Sequence, residues 1–301
     1  MTTIKTIAVF HAFASRVCAW SVSDGIVDAL ARMGYAVMDC GRPPRITVNL
    51  DQLKCVDLII LSGPEIFWSL VERWYPHWSY LKMPKAAWYT ESAHRDDRDF
   101  DFGALKHIAD RHYYPAAQDA EEFGGTWLPF GVDTEMFRPK RVSEKSPAAF
   151  IGNVYPKRRQ FAEAITFNLD HVIPAQSTKP RQSFEHLADA YSSIEIFVNM
   201  PSYSRLLVTK VTEARACGCM VLTPVIDHPS AGWNLTQFEN GEHLVYYNPE
   251  RPGELGDIIE HFRKHPERRE EIASAGLQEI LKNHRLETRL RRIIEDAEGT
   301  G

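Results

Sequence analysis

The sequence predicts an α/β protein built from two doubly wound parallel-sheet domains, and three observations predict it. Apolar runs of strand length, such as Leu58–Leu61, alternate with longer stretches carrying apolar residues at i, i+3 and i+4. With 301 residues, 44% hydrophobic and 25% charged, the chain suffices for two domains with a core each. Between two complete strand-helix series lies a segment of turn and charged residues, Pro129 to Pro147.

Thr6–Phe10 reads as the first strand and Ser23–Met33 as a helix, with Gly34 placed to stop it and Tyr35–Met38 as the next strand. Strand, helix, strand implies a right-handed parallel crossover. Leu58–Leu61 reads as a fully buried strand ended by Ser62-Gly63-Pro64, and Ala86–Tyr89 and His112–Pro115 as two more. A helix begins near Ala117, and Trp127–Leu128 closes the series. The aromatic residues between 67 and 89 are expected to fill the core, with Trp74 and Trp78 as exceptions because polar residues flank them.

The second series begins with strand Ala148–Ile151, then helix Pro156–Phe167, strand Ile194–Val198, helix Val211–Ala216 and strand Met220–Thr223. Leu244–Tyr247 is expected to be one more strand. Leu255–Arg263, Pro266–Lys282 and Leu286–Ala297 read as helices. The expected domains are 1–139 and 147–285, with the helix of 286–301 packing back on the first through Leu286, Leu290, Ile293, Ile294 and Ala297.

Bulk properties narrow the function. A net charge of -5 advertises no general affinity for nucleic acid or anionic membranes. No run approaches the roughly 20 apolar residues of a membrane helix, and the N-terminus lacks a cleavable leader pattern, so a cytoplasmic protein without a membrane span is expected. The five cysteines are expected to be reduced and structural, since Cys217-Gly218-Cys219 lacks the spacing of a zinc or redox site. His11-Ala12-Phe13-Ala14-Ser15 stands where a glycine fingerprint would follow the first strand, which argues against a nicotinamide or flavin dinucleotide.

The densest local pattern is Lys210-Val211-Thr212-Glu213-Ala214-Arg215-Ala216-Cys217-Gly218-Cys219-Met220-Val221-Leu222-Thr223-Pro224. Leu128-Pro129-Phe130-Gly131-Val132-Asp133, Phe150-Ile151-Gly152-Asn153 and Asn240-Gly241-Glu242-His243-Leu244 accompany it in order. Together these segments resemble the GT-B glycosyltransferases, particularly the spore-maturation-protein-like branch. The resemblance implies two Rossmann-like domains facing a central cleft, a nucleotide diphosphate sugar as donor, and a ribose contact for Glu213. It implies no essential metal and no cofactor besides the donor. Retaining members carry a second Glu eight positions before this one; Arg205 stands there, so no donor-sugar carboxylate carries over to this chain.

Chemistry supplies the same roles independently. Ribose hydroxyls suit a carboxylate, and phosphates suit backbone N–H groups at a helix start together with cations. Glu213 supplies the first, and Lys210, Arg205, Gly152, Asn153, Lys157 and Arg158 are the candidates for the second. Ligands of such sheets gather at the carboxyl ends of strands, where the first-half loops carry His11, Ser15, Arg16, Trp20, Glu65, Glu91, Ser92, His94 and Arg95. Glu91 and His11 are the candidates to deprotonate an acceptor hydroxyl. The donor is expected to be UDP- or GDP-linked, and the acceptor is open among a glycan, a small molecule, a protein and modified viral DNA. A nucleotide-binding scaffold without turnover is the alternative from another class.

Overall fold

The computed structural model describes residues 3–11, 21–41, 49–74, 77–96, 99–152, 154–165, 171–173, 183–204, 206–225 and 238–299. The chain divides into two compact units, residues 1–131 with 286–301, and residues 132–285.

In the first unit, β1 (Thr6–His11), β2 (Ala36–Gly41), β3 (Leu58–Ser62), β4 (Lys85–Trp88), β5 (Arg111–Tyr114) and β6 (Thr126–Trp127) form one sheet in the order β2-β1-β3-β4-β5-β6. Its neighbouring strands all pair in parallel. The central strands are apolar along their length because both faces are covered. Helix α1 (Ser21–Arg32) leads to Gly34, whose φ of 92° lets the chain turn out of the helix. Two further helices, α2 (Leu50–Leu53) and α3 (Pro64–Trp74), lie outside the sequence expectation. Helix α4 spans Ala117–Phe123. Trp78 corrects an expectation, since it is buried in the core and its indole donates to Ile108 O at 2.8 Å. Among the described residues of this region Tyr80 is exposed. Trp74's side chain lies outside the described residues.

The second unit holds β7 (Ser146–Ile151), β8 (His171–Ile173), β9 (Ile194–Val198), β10 (Met220–Pro224) and β11 (Val245–Tyr247), in the order β11-β10-β9-β7-β8 and again parallel. Helices α5 (Pro156–Ile165), α6 (Phe184–Ser192), α7 (Thr209–Ala216), α8 (Pro252–Lys264) and α9 (Pro266–Asn283) belong with it. The unit opens at Val132, earlier than expected, because Val132 donates to His284 O at 3.0 Å and Phe137 packs edge-on to Phe184.

Helix α10 (Leu286–Glu298) returns to the first unit. Leu286, Leu290, Ile293, Ile294 and Ala297 are buried there. Polar bonds fix its ends: Arg32 pairs with Glu287 at 2.9 Å, Tyr113 donates to Asp296 at 3.1 Å, and the Ile4 N–H donates to Glu298 at 3.1 Å.

Cys40, Cys217 and Cys219 are buried free thiols, and burial pushes the Cys40 and Cys217 thiols up to about 12. Cys55 is a free thiol as well, but exposed. Cys18 lies outside the described residues.

Candidate active site

Both sheets reverse direction beside their first strand. In the second unit β8 lies on one side of β7 and β9 on the other, so crossovers leave in opposite directions and open a crevice at the carboxyl ends of β7 and β9. The residues that follow these strands reach across to one another. Arg158, on the first turns of α5, donates through Nε to Pro201 O at 2.8 Å, and the Tyr155 hydroxyl donates to the same carbonyl at 2.9 Å. In the other direction Lys210, from α7, donates through Nζ to Ile151 O at 2.9 Å.

Gly152 lies between these two cations. A Cβ there would fall 2.5 Å from Lys210 Nζ, 2.6 Å from Phe150 Cζ and 3.3 Å from Arg158 Nη1. The Arg158 guanidinium also lies 4.4 Å from the Tyr155 ring centre and 5.2 Å from that of Phe150. Burial lowers its pKa from the ordinary arginine value. Carbonyls and ring faces orient the two cations.

Glu213 is the fifth residue of α7, not a first-turn residue, because the helix begins at Thr209 instead of Val211. A role limited to countering the helix dipole belongs to the first turn and does not fit this position. Its side chain is buried and accepts a hydrogen bond from the Tyr191 hydroxyl at 3.2 Å. A carboxylate has about four lone-pair directions and can accept from several donors at once. Lys157 is half-buried in the first turn of α5, and Arg159 is exposed. Asn153 and Arg205 lie outside the described residues.

In the first unit the reversal lies between β1 and β3. His11 ends β1 in register with Ser62, the last residue of β3. The imidazole is buried, and its Nε2 lies 3.0 Å from Asp39 Oδ1, which also accepts from the Gly41 N–H at 2.8 Å. A proton on Nε2 facing Asp39 makes Nδ1 the basic nitrogen. Ser15, Arg16 and Trp20 of the loop after β1 lie outside the described residues.

Glu91, the other candidate base, is buried and ion-paired with Arg95. Its segment is gripped by Glu65, which the sequence placed among the loop residues of this edge, and by Asp119, which it did not single out. Glu65, in the first turn of α3, accepts through Oε1 from Thr90 N at 2.8 Å, Thr90 Oγ1 at 2.8 Å and Glu91 N at 2.9 Å. Burial is the main reason its carboxyl is pushed up to about 7, with nearby Glu91 adding to the rise. Asp119, on α4, accepts from Ala93 N at 3.2 Å, and burial pushes its carboxyl up to about 6. His94 lies 2.7 Å from Glu122 and 3.6 Å from Asp119. Among the described residues no group of three His, Cys, Asp or Glu is arranged to hold a metal ion.

Thus Gly152, Arg158 and Lys210 are brought to one point, with Glu213 one turn further along α7, while His11 and Glu91 are placed in the other unit. Residues 136–295, more than half of the chain, match the model of the glycosyl transferase-like family. The chain belongs to that family. The glycosyl transferase-like match takes in nearly all of the second unit, including the Gly152, Arg158 and Lys210 cluster and Glu213.

Solved structures extend the likeness over the whole length. An α-glucosyltransferase in complex with UDP-glucose and DNA containing an abasic site superposes with a TM-score of 0.71 at 9% identity, covering 99% of this chain and 100% of that one. Sucrose-phosphate synthase from Thermosynechococcus elongatus gives 0.67 at 14% identity, with 99% and 100% covered. HepE of Anabaena in complex with UDP-glucose gives 0.65 at 12%, with 97% and 99% covered. Their shared architecture is the GT-B glycosyltransferase fold, two Rossmann-like units of parallel sheet and flanking helices. A sequence search of the curated proteins finds no match. Among the described residues no helix is long and apolar enough to cross a membrane.

Proposed function

We propose that this glycosyl transferase-like chain moves a sugar from a nucleotide diphosphate donor, UDP- or GDP-linked, to an acceptor hydroxyl, and that the second unit holds the donor. The observation that carries this reading is the meeting of Lys210 and Arg158 at Gly152, at the reversal point of the second sheet. Two cations beside a side-chain-free backbone suit a diphosphate, whose charge grows as the sugar–oxygen bond breaks. Glu213 is the ribose acceptor in this reading. Lys157, Arg205 and Asn153 are further donor-side candidates from the same loops. UDP-glucose bound to the α-glucosyltransferase and HepE supports UDP as the first base to test. The Lys210–Pro224 pattern supports a place in the spore-maturation-protein-like branch.

On the acceptor side His11 is the group that takes the hydroxyl proton as the new sugar–oxygen bond forms and the nucleotide diphosphate leaves. Asp39 fixes its ring, whereas the Glu91 carboxylate is already committed to Arg95. The α-glucosyltransferase structure contains DNA, but a net charge of -5 gives this chain no general attraction to a polyanion. That balance favours an acceptor smaller than duplex DNA.

Calorimetric titration of UDP and GDP tests the donor site. Lys210→Ala and Glu213→Ala each remove a charge-assisted hydrogen bond to the nucleotide, and affinity is expected to fall roughly ten- to a hundredfold. Equal affinity in both variants and the parent chain would remove the donor site from this unit.

A further inference from the structure

The segment Thr90–Ala93 at the carboxyl end of β4 is irregular in backbone yet buried. Buried irregular backbone must find hydrogen-bond partners outside any ladder. Here the partners are two carboxylates, each from the first turn of a flanking helix. One oxygen of Glu65 collects three donors from Thr90 and Glu91, and Asp119 takes the N–H of Ala93. Burying carboxylates is an expensive way to satisfy a turn, because each resists ionisation there. The return is rigidity in the segment that carries the Glu91–Arg95 ion pair, on the strand next to β3 at the sheet's reversal point.

We infer that Glu65 is a positioning residue for the acceptor side: through Thr90 and Glu91 it sets the Thr90–Arg95 segment, and with it the Glu91–Arg95 pair, at the same carboxyl edge of the sheet as His11. The inference rests on the reading that the first unit carries the acceptor chemistry. Because the Glu65 carboxyl is pushed up to about 7, its charge changes in the neutral range, and the grip changes with it. The groups around it are Glu91 and Tyr89 on the segment after β4, Arg95 paired to Glu91, and Asp119 and His94 on the segment's far side.

The test uses the full chain with Glu65→Ala and Glu65→Gln. UDP-glucose turnover is followed from pH 6 to 8, and amide exchange protection of Thr90 and Glu91 is measured beside it. Glu65→Ala is expected to lower kcat at least tenfold with the KM for UDP-glucose unchanged, and to speed exchange at both amides. Glu65→Gln keeps an acceptor oxygen, so it should restore most of the kcat and the protection while losing the change of both with pH. Unchanged kcat and unchanged exchange in a folded Glu65→Ala protein would overturn the inference. If that variant does not fold, Glu65→Gln decides: protection that still varies with pH as in the parent chain overturns it equally. A parent chain that releases no UDP from UDP-glucose counts against the proposed transfer from that donor, while the exchange measurements still decide the role of Glu65.

Discussion

Gly152 carries no side chain, and the space a Cβ would fill is already taken by Lys210, Phe150 and Arg158. Its φ of 156° adds a backbone conformation that other residues seldom adopt. Gly152→Ala is therefore expected to displace Lys210 from Ile151 O, costing about 1–3 kcal/mol of stability and weakening UDP binding roughly tenfold. Melting curves and calorimetry measure the two separately, and a stable variant with full UDP affinity would show that the cations do not meet the donor at this glycine. This part of the candidate site was legible in the sequence because Gly152 and Arg158 fall in one short stretch from strand end to helix start, and Lys210 lies in the Glu213 motif. Asp39 and Asp119 were not, and Glu65 stood among the loop residues with no role assigned. Glu65 is 25 residues from Thr90 and Asp119 is 26 from Ala93, so their roles exist only once the strand order is known.

Helix α7 shows how an element presents these residues. It starts after Val208 and ends in a left-handed turn at Gly218, where φ is 86°. Cys219 N donates to Ala214 O at 3.0 Å and Gly218 N to Arg215 O at 2.9 Å, the paired bonds of a Schellman stop. The main task of Gly218 is therefore to end the helix. Gly218→Ala should shift the urea midpoint by a loss of about 1–2 kcal/mol, because an L-residue resists that φ. UDP affinity should be retained, since Lys210 and Glu213 lie upstream, and a loss of UDP binding as large as that of Lys210→Ala would contradict this division of roles. Strands were legible almost throughout, since strands buried on both faces are unbroken apolar runs. Helix α3 was obscured by its aromatic content, and α6 and the three-residue edge strand β8 fell between stronger signals.

At the scale of the molecule, the two units carry separate cores, and among the described residues the carboxyls raised by burial lie in the first. Glu65 and Asp119 both belong to the first unit, and burial raises both carboxyls, to about 7 and about 6. A raised carboxyl pKa means that the folded state holds its proton more tightly than the unfolded chain. The stability it contributes is full below the ordinary carboxylate range and is lost as pH rises through the folded value. For Glu65 that loss is roughly 3 kcal/mol between about pH 4.5 and 7. The first unit's melting temperature should thus fall from pH 5 to pH 8, and Asp119→Asn should flatten the lower part of the fall. A melting temperature for this unit that rises steadily over the same range would show that the buried acids do not govern it. Two parallel sheets were legible from strand-helix alternation; the opening of the second unit at Val132 was not, because its cause is a pairing with His284 far along the chain.

The return of α10 to the first unit has a consequence during biosynthesis. A ribosome delivers residues 1–131 first, then every residue of the second unit, and only afterwards the helix that covers the first sheet. Through that interval Tyr113 waits for Asp296, Arg32 for Glu287 and the Ile4 N–H for Glu298. The surface destined for Leu290 and Ile293 meanwhile stays open to water and to chaperones. The half that is made first is finished last, and a nascent chain stopped at Arg285 displays a complete second unit beside an unsealed first one.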